Sequence, residues 1–379
     1  MITKRAQEIP PFLAMEVMEA ASVMERQGED IIHLEVGEPD FDTPDCIKEA
    51  AWKAMRDGKT HYTHSLGIIE LREAIAEQYH EKYKVEVSPE QILVTSGTSP
   101  AMLLLFMSLL EPGDEVILPN PYYACYPNFV RLAEGKPVFV NVYEEEGFQY
   151  RPEEIKPLIT SRTKAIFINS PANPTGNLMP RERMQEISEL GKTIVSDEIY
   201  HGLVYEGKEH SILEFTKNAF VINGFSKLYA MTGWRLGYLI APPEFIRPLQ
   251  KMHQNFFISA NAFVQWAGVA ALKEAGEDVN RMKNLYNARR QFILSKLREL
   301  GFGITVEPTG AFYILANAKA FTNNSFEFAF DILKKAKVGC TPGIDFGSNA
   351  EGYIRFSYAN SLENIDEAMR RLKNYLDKR

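Results

Sequence analysis

The sequence predicts an α/β fold with a mostly parallel central sheet, helices on both of its faces, and a smaller α+β domain beside it. Short apolar, β-branched runs recur at QILVTSGT (91–98), DEVILPNP (114–121), KPVFVNVY (136–143), TKAIFINSP (163–171), TIVSDEIY (193–200), AFVINGFSK (219–227) and LGYLIAP (236–242). Helix-like stretches lie between several of them. Near-continuous apolar strands alternating with helices indicate a parallel sheet covered on both sides.

After about residue 275 the pattern changes. A long charged helix is expected over about 277–300, followed by strand candidates FGITVEP, GAFYILANA and EGYIRFSYA and a closing helix. For that last helix, Asn360 can act as the cap with Glu363 at the third position, and Leu362, Ile365, Met369, Leu372 and Leu376 form one apolar stripe. The expected division is a large α/β domain over 45–275 and a small α+β domain built from 1–44 together with 276–379. No repeats, low-complexity tracts or Gly/Ser linkers separate them, which puts the boundary within a helix.

A chain of 379 residues that is 45% apolar is large enough for two domains with a sizeable core. Its net charge of −8 leaves no whole-chain footprint for nucleic acid or an anionic membrane, so any anion must be bound locally. Cys46, Cys125 and Cys340 are far apart and form no C-x-x-C pair, which argues against a disulfide framework or structural zinc and fits a reducing cytoplasm. The N-terminal MITKRAQEIPPF has no signal-peptide core, and the most apolar stretch, 101–110, is too short to cross a bilayer. His61 and His64 flank Tyr62 without a third ligand nearby, so no metal is expected.

Ligands of open α/β sheets collect at the carboxyl ends of the strands, and here most strand ends run into unusual polar residues. SGTSPAM (96–102) follows a strand and opens an apolar helix, so its free amides and the helix dipole could face a phosphate, with hydroxyls from Ser96, Thr98 and Ser99. An ordinary helix cap explains the same residues, and Pro100 suits a first turn either way. SDEIY puts Asp197 and Glu198 at the end of a buried run, where a carboxylate calls for a positive partner. A cationic ring nitrogen would serve, and so would a structural arginine.

In NGFSKLYAMTGWRLGY (223–238), Lys227 closes a strand and Arg235 follows eight positions later, among glycines that let the backbone turn tightly. A lysine at the mouth of an apolar pocket loses its proton readily and forms an imine with an aldehyde. Arginine suits bidentate capture of phosphate. The alternative, two solvated cations, is weak for a pair inside a Trp/Tyr/Met-rich segment. NSPANPTG (169–176) is either a plain turn or a stiff loop that fixes the amide of Asn173. Arg355, within the large apolar groups of EGYIRFSYA, needs an anion, supplied by an Asp or Glu or by a substrate carboxylate.

Together these segments resemble the class I and II aminotransferases, the fold-type I enzymes that depend on pyridoxal 5'-phosphate (PLP). The resemblance runs from VGEPDF (36–41) through HYTHSLGIIELREAIA (61–76) to IRFSYA (354–359), and its strength lies in five short motifs in the family's order and spacing. The subgroup looks like the one containing many bacterial and archaeal aspartate, alanine and aromatic aminotransferases. The resemblance implies that Lys227 is the Schiff-base lysine and proton shuttle, and that Asp197 keeps the pyridine nitrogen protonated. Tyr200 and Asn173 match the donors to the cofactor's phenolic oxygen. Arg235 with Gly97, Thr98 and Ser99 matches the phosphate cup, Ser226 joins the cofactor-binding set, and Tyr123 matches the aromatic residue stacked on the ring, with Tyr122 as its neighbouring alternative. Arg355, helped by the backbone at Gly37, matches the site for the substrate α-carboxylate. Tyr62 matches a tyrosine that reaches the phosphate of a neighbouring subunit, which implies a homodimer with shared active sites.

The implied activity is ping-pong transfer of an amino group between an L-amino acid and a 2-oxo acid, by family habit 2-oxoglutarate, in amino-acid metabolism. Position 99 is Ser, where some relatives that prefer acidic substrates carry a lysine, which argues against strict aspartate specificity. Phe12, Tyr62 and Tyr123 would suit a neutral or aromatic side chain. A β-elimination lyase acting on cystathionine, or a cyclopropane-forming synthase, shares the same Lys, Asp, Tyr and two arginines. From another class, a non-catalytic regulator of this fold would only sense PLP or an amino acid.

Overall fold

A computed structural model describes residues 2–379. All seven expected runs form strands of one sheet: β1 (Ile92–Thr95), β2 (Glu115–Asn120), β3 (Lys136–Asn141), β4 (Thr163–Asn169), β5 (Thr193–Asp197), β6 (Ala219–Gly224) and β7 (Gly237–Ile240). Their order across the sheet is β1-β7-β6-β5-β4-β2-β3. The five strands β2 to β6 are parallel, and β7 runs antiparallel to both β6 and β1. Mixed sheets of this kind keep both faces covered, which is why the strands read as apolar throughout. One face, with Phe167, Val195, Phe220 and Leu239, packs under the helix Thr98–Leu109 through Met102, Leu105 and Phe106. The other face, with Ile166, Ile168, Ile194 and Val221, meets a second set of helices through Leu71, Ile75 and Val264.

This strand order decides where the polar strand ends meet. Register pairs Asn169 with Asp197, and Asp197 with Ile222, so the ends of β4, β5 and β6 form one rim. Because β7 enters between β1 and β6, its first residue, Gly237, pairs with both Thr95 and Gly224. The segment after β1, the segment after β6 and the segment before β7 therefore open onto the same rim.

The helices that matter for the site are α1 (Leu13–Glu25), α2 (Thr98–Leu109), α3 (Gly276–Glu299) and α4 (Leu362–Leu376). Beyond α3 a three-stranded antiparallel sheet forms in the order β9-β10-β8, from β8 (Tyr313–Asn317), β9 (Thr341–Pro342) and β10 (Tyr353–Ser357). FGITVEP is not one of its strands. Only Gly303 bridges to Asn317, and the chain then turns away. At the end of the segment the carbonyl of Glu307 accepts from the Asn177 side chain and that of Pro308 from Arg290 of α3, so side chains rather than a neighbouring strand take these backbone groups.

The cap of α4 is also one residue later than the sequence suggests. Ser361 Oγ accepts from the Asn364 amide at 3.1 Å, while the Asn360 side chain is tied to the His33 carbonyl at 3.0 Å. Of the expected stripe, Ile365, Met369 and Leu372 are buried, Leu376 is half-buried and Leu362 is exposed, with Ala368 and Tyr375 completing the face. At the other end of the chain, Ile32–His33 pairs in parallel with Val338–Gly339, and Ile32 and Leu34 pack with Ile354 and Phe356. That pairing carries the VGEPDF segment to the rim of the large sheet.

Gly237 is the position where the rim leaves no room. A Cβ there would lie 2.7 Å from the Gly97 carbonyl carbon and 2.9 Å from the Thr98 amide, both backbone atoms. Gly237→Ala should therefore destabilise the fold by about 1–3 kcal/mol through overpacking, read as a lower Tm. Gly276→Ala is the control, because nothing lies within 4 Å of that Cβ. Equal melting of the two variants would contradict the account.

Candidate active site

A cavity of about 270 Å³ opens at this rim, where the large sheet faces α1 and the small sheet. Asp197, the last residue of β5, is 4% exposed. Its carboxylate accepts from Tyr126 OH at 2.7 Å and from the Ile199 amide at 3.0 Å, and it faces the cavity with no arginine beside it. The structural arginine open to it as a partner in the sequence is absent. Burial pushes its carboxyl up to about 6, opposed by Tyr126, the Ile199 amide and Lys227. Glu198 points away into a nest of donors, the hydroxyls of Ser196, Ser211 and Tyr79 and the amide of Ile212. Burial pushes it up to about 8, and it too has no arginine.

Lys227 follows β6 and donates from Nζ to the Gly37 carbonyl at 2.6 Å. Loss of hydration pushes its amine down to about 8, against the pull of Glu38 and with help from Arg355 and Arg235. A Cβ on Gly37 would fall on the Tyr313 hydroxyl, so only glycine lets this strand of backbone reach the lysine.

Arg235 sits just before β7 with φ 56°, and its guanidinium lies over Gly97. A Cβ at Gly97 would come within 2.6 Å of Arg235 Nη2, and φ 91° there also favours glycine. α2 begins immediately after it, so the unpaired amides of its first turn and the positive end of its dipole face the same space. Thr98 and Ser99 line the cavity; Ser96 does not.

Arg355 rises from β10 and is 2% exposed. It donates to Asn173 Oδ1 at 2.9 Å, to the Glu35 carbonyl at 2.5 Å and to Thr341 Oγ1 at 3.2 Å, and it lies between the rings of Tyr313 (4.4 Å) and Phe346 (4.7 Å). None of these partners is a carboxylate, and its Nε is buried without a hydrogen bond. Of the two anions open to it in the sequence, no Asp or Glu among the described residues fills the role. Such a buried cation is poised for an external anion.

Gly37, Tyr123, Asn173, Tyr200 and Ser226 share the cavity wall with these residues. Tyr122 instead stacks on Phe139 at 5.1 Å, which leaves Tyr123 as the ring facing the cavity. Tyr62 is the exception: it is 81% exposed and outside the wall. Two further residues belong to the site. Tyr126 donates to Asp197, and Tyr313 shares a 2.8 Å hydrogen bond with Tyr200. Tyr126 opens the helix Tyr126–Leu132, and nothing in the sequence sets it apart from the other aromatics of PNPYYACY.

The cavity thus combines a carboxylate open to a cation, an amine that loses its proton near neutral pH, an anion cradle and a second buried guanidinium. The profile described as "Aminotransferase class I and II" matches residues 29–372. The chain belongs to the class I and II aminotransferases. It is 43% identical to a (5-formylfuran-3-yl)methyl phosphate transaminase of Methanocaldococcus jannaschii over the full length of both chains. It is 42% identical to an aspartate aminotransferase of Pyrococcus horikoshii over 96% of this chain and 94% of that one. The structure of Thermus thermophilus aspartate aminotransferase with maleate superposes with a TM-score of 0.95 at 39% identity, covering 99% of each chain. This aminotransferase moves an amino group between an amino acid and an oxo acid, on the fold-type I architecture of its structural neighbours. No helix among its described residues is long and apolar enough to cross a membrane.

Asp197 makes the cofactor-free aminotransferase pH-sensitive in a defined direction. Its carboxyl sits near 6 when folded against 3.8 when unfolded. Well below pH 4 both states hold the proton and nothing is lost; between about pH 4 and 6 the unfolded chain releases its proton while the buried carboxyl keeps its own, so stability falls, and above 6 the loss is complete. Asp197→Asn removes that loss, so by pH 7 the variant should be more stable than wild type by at most about 3 kcal/mol. Thermal melts across pH 3–7 test this, and parallel curves for the two proteins would refute it.

Proposed function

We propose that this aminotransferase works with pyridoxal 5'-phosphate and transfers the amino group of an L-amino acid to a 2-oxo acid in two half-reactions at this cavity. The observation that supports this most is the pairing of Asp197, buried and open to a cation, with Lys227, an amine pushed down to about 8 across the same cavity. An aldehyde, a basic ring nitrogen and a phosphate on one molecule satisfy Lys227, Asp197 and the Gly97–Arg235 cradle together. When bound, this cofactor supplies a carbon that receives the amino group and a protonated ring that draws electron density from the substrate Cα.

On this reading Asp197 holds the ring nitrogen protonated, Tyr123 stacks on the ring, and Tyr200 and Asn173 donate to its phenolic oxygen. Arg235, the amides from Gly97 onward, Thr98, Ser99 and Ser226 hold the phosphate. Lys227 anchors the cofactor at rest and, once freed, moves the proton at the substrate Cα; an amine near neutral pKa suits both directions of that transfer. Arg355, with the backbone at Gly37, takes the α-carboxylate and fixes which bond faces Lys227. Tyr126 is a positioning residue, holding the Asp197 carboxylate toward the ring.

Tyr62, exposed in the single chain, reaches the phosphate held by a neighbouring subunit, so the active unit is a homodimer with shared sites. Residues 45–275 form the cofactor-binding domain, and 1–44 with 276–379 form the small domain. The acceptor is 2-oxoglutarate by family habit, the mechanism is ping-pong and the setting is the cytoplasm.

Loading the protein with PLP and adding L-amino acids without an acceptor should yield pyridoxamine 5'-phosphate and one equivalent of 2-oxo acid. Pyruvate and ammonia released from a β-substituted amino acid would favour a lyase instead. Lys227→Ala should lose the yellow imine absorbance and slow the half-reaction by about 10²–10⁴-fold. Retention of the absorbance would overturn the assignment of Lys227.

A further inference from the structure

A carboxylate of the protein already occupies the helix start beside the substrate cavity. The first amides of α1, those of Leu13 and Ala14, donate to Asp345 Oδ1 and Oδ2 at 2.9 and 3.1 Å. Asp345 lies on the turn Gly343–Phe346, next to the ring that covers Arg355. Seated there, it consumes the only free amides that α1 offers at the cavity, and it adds negative charge behind the wall.

The same helix start sets Phe12, Ala14 and Met15 against the cavity, joined by Val36 and Met102. The Phe12 ring meets Tyr123 edge-on at 5.8 Å, which holds it in place. The cations this chain sets into the cavity are Lys227, Arg235 and Arg355, and each already has a task as lysine base, phosphate holder or carboxylate holder. A second substrate carboxylate would meet carbon, amides already taken and the field of Asp345. Burying it there without a partner is unfavourable.

We infer that the amino donor of this aminotransferase carries an uncharged apolar or aromatic side chain, contacted by Phe12 and Met15, and that Asp345 disfavours an acidic one. The inference rests on the roles proposed for Lys227, Arg235 and Arg355. Because the reaction is reversible, 2-oxoglutarate and the glutamate it becomes bind alike: one methylene longer than aspartate, they carry the second carboxylate out to the solvent-facing opening, where Met15 is exposed, so the preference concerns the other amino acid of the pair.

Two unreactive probes test this in the PLP-loaded protein: 3-phenylpropionate, with one carboxylate and an aromatic end, and succinate, with two carboxylates. Calorimetry should give 3-phenylpropionate a Kd at least about tenfold below that of succinate, the discrimination expected of an apolar pocket. Phe12→Ala should weaken 3-phenylpropionate by about tenfold and leave succinate unchanged, and Asp345→Asn should tighten succinate by about three- to tenfold. In single-turnover spectroscopy, L-phenylalanine should discharge the yellow absorbance faster than L-aspartate at equal concentration. Succinate binding as tightly as 3-phenylpropionate to the wild type, or L-aspartate reacting faster, overturns the inference, and neither result depends on a variant folding. If no amino acid discharges the absorbance, the PLP aminotransfer reading itself fails; if amino acids do and L-aspartate leads L-phenylalanine, only the donor inference fails.

Discussion

A carboxylate that is buried at the end of a strand with no cation in hydrogen-bond contact is the constraint around which this molecule is arranged. Asp197 keeps its place because Tyr126 and the Ile199 amide hydrogen-bond to it, yet those two donors leave burial dominant and its affinity for protons raised. A group in that condition gains from any cation brought to it, and the protein brings none of its own arginines. Glu198, one residue along, shows what a purely structural buried carboxylate looks like here: four donors surround it and the cavity does not touch it. The contrast between the two neighbours separates a site from a scaffold within a single dipeptide.

Sheet topology supplies the partners of that carboxylate. With β7 inserted antiparallel between β6 and β1, the loops that carry Gly97, Lys227 and Arg235 open on the same rim as Asp197 although they are more than a hundred residues apart at the extremes. Glycine makes the convergence sterically possible, at Gly237 against the start of α2 and at Gly97 under Arg235. Arg355 and Gly37 arrive from outside this sheet. The parallel pairing of Ile32–His33 with Val338–Gly339 and the antiparallel pairing of β10 with β8 and β9 bring both to the opposite wall. Movement of that wall relative to the large sheet would change how Arg355 and Lys227 face each other without disturbing either core.

Much of this was legible in the sequence, for physical reasons. Strands buried on both faces leave a compositional mark that needs no knowledge of pairing, and all seven were found. The polar residues at their ends stood out because a buried strand has no other use for Asp, Lys or Asn. What stayed hidden depends on distant atoms. Tyr126 reads as one aromatic among several until its hydroxyl meets Asp197. FGITVEP alternates like a strand, but its last two carbonyls are taken by the side chains of Asn177 and Arg290. The α4 cap moved from Asn360 to Ser361 because His33 engages the asparagine. Tyr62 is exposed in the single chain, and its assigned role depends on a second subunit that one sequence does not contain.

The charges around the cavity explain why such a site prefers to be filled. Lys227, Arg235 and Arg355 face it against Asp197 and Glu38, within a chain whose net charge is −8. The two arginines help to push Lys227 down, so part of the cavity's excess positive charge is relieved by deprotonating the very amine that must react. A bound phosphate and a substrate carboxylate would offset Arg235 and Arg355 directly, and a ring cation would offset Asp197. Each ligand charge then compensates one protein charge at a different wall, so the groups that select the ligands are the groups that set the protonation of Lys227. Because those anions bind the folded state alone, the same compensation stabilises the fold when the site is occupied. Recognition, basicity and stability are thus three consequences of one charge arrangement, and a substitution at any of these charged positions disturbs the others through it.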